Sequence, residues 1–95
     1  MREEKQTRDK KAVALTYHEE LQAPIVSAKG EGYLAEKIIE TAREHGIESY
    51  LDEQLLESLM AVAVGDEIPS ELYTIVAKVL LFVEKVEKLK KEDPM

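Results

Sequence analysis

The sequence predicts a small single α/β domain: a three- or four-stranded mixed sheet flanked by helices, with a strand–helix–strand unit and a long C-terminal helix. Three observations lead there. Two short apolar runs, AVALTY (12–17) and PIVSA (24–28), have the composition of buried strands. Apolar residues then recur at helical spacing from Tyr33 onward and again from Leu72 to Val86. Between them IESYL (47–51) alternates like a third strand, so that residues 24–51 should form a right-handed parallel crossover.

The elements follow in order. Residues 1–11 carry no apolar periodicity and read as a solvated, flexible charged arm, with order expected from about Ala12. Pro24 suits the first position of a strand, where its missing N–H costs least, and Gly30 and Gly32 are expected to end that strand. Leu34, Ile38, Ile39 and Ala42 make a helical stripe, His45 suits the negative end of that helix, and Gly46 is placed to terminate it in a left-handed conformation. Asp52 is an N-cap candidate for a helix bearing Leu55, Leu56, Leu59, Met60 and Ala63 on one face, which Gly65-Asp66 breaks. Pro69 belongs in the first turn of the last helix, with Glu71 complementing its dipole. That helix carries the strongest pattern in the chain, Leu72, Val76, Val79, Val83 and Val86, with Ile75 and Leu80 widening the stripe. Its charged end has favourable i,i+4 pairs, Glu84 with Lys88 and Glu87 with Lys91, and is expected to project as a solvated helical tail (87–95).

Ninety-five residues suffice for one core. A hydrophobic fraction of 44% with 35% charged residues describes a soluble globular protein. No segment has the length and apolarity of a membrane span or a signal peptide, so a cytoplasmic chain without direct membrane insertion is expected. The absence of cysteine excludes disulfides, thiolate metal sites and a cysteine nucleophile. The net charge of −7 is unevenly spread: residues 1–11 carry +2, residues 84–95 balance, and residues 12–83 hold −9. Such a field repels phosphate backbones, which argues against nucleic acid and favours basic protein partners, unless the acidity serves only solubility.

The best enzyme signal is KGEGYLA (29–35). Gly30-x-Gly32-x-x-Ala35 follows a predicted strand, opens a helix, and precedes an acid, Asp52, by about twenty residues, as in a dinucleotide-binding turn. Against this reading stand the shortness of the chain, the negative charge of Glu31 inside the would-be phosphate loop, and the capping role available to Asp52. The simpler reading is a tight strand-to-helix turn, and no cofactor is expected. His18-Glu19-Glu20-Leu21-Gln22 lacks the second histidine of a zinc-protease motif, so no metal is expected. Ser27, Ser49, Ser58 and Ser70 show no nucleophile elbow and no base nearby in sequence. The last helix could also form a dimer seam, giving a monomer or weak dimer.

Taken together, AVALTY, QAPIVSAKGEGYLAEKI, AREHGI and VGDEIPSELYTIVAKVLLFV, in this order and spacing, resemble the C-terminal cytoplasmic domain of FlhB, the flagellar type III export switch protein, and its virulence-system relatives. The resemblance covers residues 12–86 and implies a small α/β domain at the cytoplasmic mouth of an export gate. It also implies a protein-interaction role with export substrates, the ruler protein or gate components, and no enzymatic action on other molecules. Family members cleave themselves at an Asn-Pro-Thr-His motif through the asparagine side chain. The matching positions here are Thr7, Arg8, Asp9 and Lys10, so the resemblance implies a stand-alone relative that does not cleave. The family's strand before that motif has no counterpart, and Glu53-Gln54 replaces the usual Pro-Pro. A shallow apolar patch that meets export substrates in flagellar members corresponds to Ala23, Pro24, Ala77 and Leu80.

Overall fold

A computed structural model describes residues 10–17 and 20–81. The order is β1 (Lys11–Thr16), β2 (Ile25–Glu31), α1 (Tyr33–Glu44), α2 (Glu53–Met60), a 3-10 turn (Ser70–Leu72) and α3, described over 73–81. The arm residues 1–9, His18 and Glu19, and the charged end of the last helix, including Val83, Val86 and the pairs Glu84/Lys88 and Glu87/Lys91, lie outside the described residues.

β1 and β2 pair antiparallel, from Lys11 opposite Glu31 to Thr16 opposite Ile25, with an irregularity between Ala14 and Leu15. Ser27 is the extra residue of this bulge, and its hydroxyl donates to the Ala14 carbonyl at 3.1 Å. The bulge resets the alternation so that two different faces are built. One face is made of small residues: Ala12 stands opposite Gly30 and Ala14 opposite Ala28. α1 packs there, burying Ala35 completely. The other face presents Val13, Leu15 and Val26 to Leu55, Leu59, Val62, Ile68 and Val76 from α2, the following turn and α3. The domain is therefore a sheet held between α1 and the α2/α3 pair.

The α/β class stands, but the strand count differs from expectation. Among the described residues the named strands are two, and residues 47–52 form neither strand nor helix. Ile47 and Leu51 are 56% and 81% exposed, so the alternation of IESYL has no buried face to serve. The free side of β2 is taken instead by the chain after α2. The Gly65 N–H donates to the Val26 carbonyl, the Val26 N–H to the Asp66 carbonyl and the Ile68 N–H to the Pro24 carbonyl, with Ile25 bridging Glu67 in antiparallel sense. The expected parallel crossover is thus replaced by antiparallel pairing from a later segment.

The boundaries also move for local reasons. β2 runs through Gly30, and only Gly32, with φ 61 and ψ −127, turns the chain into α1. α1 ends as anticipated: the Gly46 N–H donates to the Arg43 carbonyl and the Ile47 N–H to the Ala42 carbonyl, with Gly46 at φ 71, a Schellman closure. The Asp52 side chain accepts from the Leu55 N–H at 3.0 Å and caps α2. α2 stops at Met60, not Ala63. Pro69 precedes a 3-10 turn instead of sitting inside the last helix, which begins at residue 73.

Candidate protein-interaction surface

The chemistry suggested by KGEGYLA is decided by what occupies its glycines. A Cβ on Gly30 would overlap Leu34 Cγ, so the absent side chain is the space that Leu34 fills. The Gly32 N–H, which a phosphate would need, donates to the Lys10 carbonyl at 2.9 Å and extends the pairing of β1 with β2. Asp52 is engaged as a helix cap. The turn is fully employed in joining strand to helix, and the dinucleotide reading finds no cradle.

The remaining candidate chemistry resolves into structural roles. His45 Nδ1 lies 2.8 Å from the Thr41 carbonyl at the end of α1, to which it donates. Ser27 completes the bulge, and Ser49, Ser58 and Ser70 are exposed. Among the described residues no group of three or more His, Asp or Glu is arranged to hold a metal ion. A shallow opening of about 220 Å³ lies between Lys10, Glu36, Ile39, Glu40 and Arg43, where Lys10 Nζ stands 3.7 Å from the Glu36 carboxylate. Charged side chains supply four of these five residues, with Ile39 alone apolar, unlike the predominantly apolar lining of a small-molecule pocket.

The four residues matched to the apolar patch are placed unequally. Ala23 is 2% exposed and Pro24 is buried beside Ile68. Ala77 is exposed on α3, and Leu80 is half-buried against the core cluster. Ala23 and Pro24 therefore expose little surface, while Ala77 and part of Leu80 are accessible. Of the positions matched to the lost cleavage motif, Thr7, Arg8 and Asp9 lie outside the described residues. Lys10 enters the sheet through its carbonyl.

Reading the sequence alone misses two features of this region. Tyr17, just past β1, and Tyr73, the first residue of α3, are 51% and 42% exposed. Both sit at the margin of an apolar run, and that was their only signal. Lys29 is also unanticipated: its ammonium crosses from β2 to the carbonyls of Met60 and Val62 at 2.8 and 2.7 Å, fixing the turn that leads to Gly65.

Comparison with known proteins agrees with this architecture. The uncharacterized protein YlqH of Bacillus subtilis is 39% identical over 84 residues, covering 87% of this chain and 90% of YlqH. The flagellar biosynthetic protein FlhB of Helicobacter pylori is 44% identical over 78 residues, covering 81% of this chain and 22% of that protein. The chain thus spans about a fifth of the length of the flagellar relatives it matches. Among solved structures, the cytoplasmic domain of FlhB from Shewanella putrefaciens superposes with a TM-score of 0.80 at 34% identity, covering 85% of this chain and 68% of that one. The PscU C-terminal domain gives 0.72 at 28%, covering 76% and 94%. No helix among the described residues is long and apolar enough to cross a membrane. With the model of the FlhB HrpN YscU SpaS family matching residues 9–83, the chain belongs to that family and has the fold of its C-terminal domains.

Proposed function

We propose that the chain acts as an FlhB-like protein-interaction module in type III protein export, binding export substrates, the ruler protein or components of the gate, without self-cleavage. The observation that carries this reading is the coincidence of family fold and altered chemistry. The described residues share the fold of the cytoplasmic domain of FlhB, while Thr7, Arg8, Asp9 and Lys10, aligned on AVAL, replace Asn-Pro-Thr-His. Without the asparagine amide there is no nucleophile for backbone cyclisation, so binding is the work left to the domain. The interacting unit spans residues 12–86, between a charged arm (1–11) and a charged tail (87–95), and it works in the cytoplasm at the inner face of the export gate.

Of the four residues of the proposed patch, Ala77 and part of Leu80 are accessible to a partner, while Ala23 and Pro24 are buried. The test is co-purification of the full chain with an FlhB-type gate component, a ruler protein and export substrates. Ala77→Asp, at an exposed helical position, is expected to leave the thermal transition unchanged and abolish capture. If none of these proteins is captured by the unaltered chain, the export reading is wrong.

A further inference from the structure

We draw no further inference here: the strongest candidate, the long edge of β1 that faces away from β2, is a strand margin for which nothing in the structure shows what covers it.

Discussion

Lys29 on β2 donates to the carbonyl oxygen of Val62 at 2.7 Å, tying the turn after α2 to the sheet, and its second bond reaches the Met60 carbonyl at 2.8 Å. A cation at the C-terminal end of a helix meets the negative end of its dipole and carbonyls that have no partner within the helix. This contact holds the start of the segment that pairs with β2 through Gly65, Asp66 and Ile68. Lys29→Met keeps the aliphatic stem and removes the donor. It should lower the unfolding free energy by about 1–3 kcal/mol in urea titration, with earlier hydrogen exchange at the Gly65 and Ile68 amides.

Gly30→Ala is expected to cost about 1–3 kcal/mol, because its Cβ would overlap Leu34, whose Cβ and Cγ are both within 2.8 Å of that position. Gly46→Ala meets no atom within 4 Å but must hold a φ of +71, which costs about 1 kcal/mol. The two penalties differ in origin, and a double-mutant cycle separates them. Pairing Gly30→Ala with Leu34→Ala should recover part of the loss, while pairing Gly46→Ala with Leu34→Ala should be additive.

Asp52→Ala removes the acceptor for the Leu55 N–H and should destabilise by about 0.5–2 kcal/mol, measured by thermal unfolding. Asp52→Asn preserves an acceptor and should restore most of the stability. Had Asp52 been only a ligand for a ribose, the alanine variant would not be expected to destabilise the fold.

Ala23→Asp should fail to fold stably, since a side chain only 2% exposed would become an unpaired buried charge. A loss of binding in that variant would report unfolding, not contact. Ala77→Asp, at an exposed site, should retain a native circular dichroism spectrum and transition. The contrast, read by melting curves before any binding assay, shows at which of the matched patch residues a loss of binding can be read as lost contact.

Incubation at neutral pH for days, followed by intact-mass spectrometry, should return the mass of all 95 residues. A fragment cut between residues 7 and 11 would show that this segment cleaves without the asparagine.

What the sequence by itself determined is whatever neighbouring residues decide among themselves. The composition of AVALTY and PIVSA called for strands, and Leu34, Ile38, Ile39 and Ala42 made a helical stripe. Gly46 closed that helix and Asp52 opened the next, because caps and Schellman turns use bonds between residues a few positions apart. The tertiary structure decided what requires distant segments. IESYL alternates like a strand but finds no partner, while the segment around Glu67, with no strand pattern, pairs with β2 because α2 and Lys29 deliver it there. Ala23 and Ala77 look equivalent in the sequence, yet one is sealed and the other is open. Periodicity assigns a residue to one side of its own element, but exposure depends on which other element covers that side, and long-range packing alone settles that.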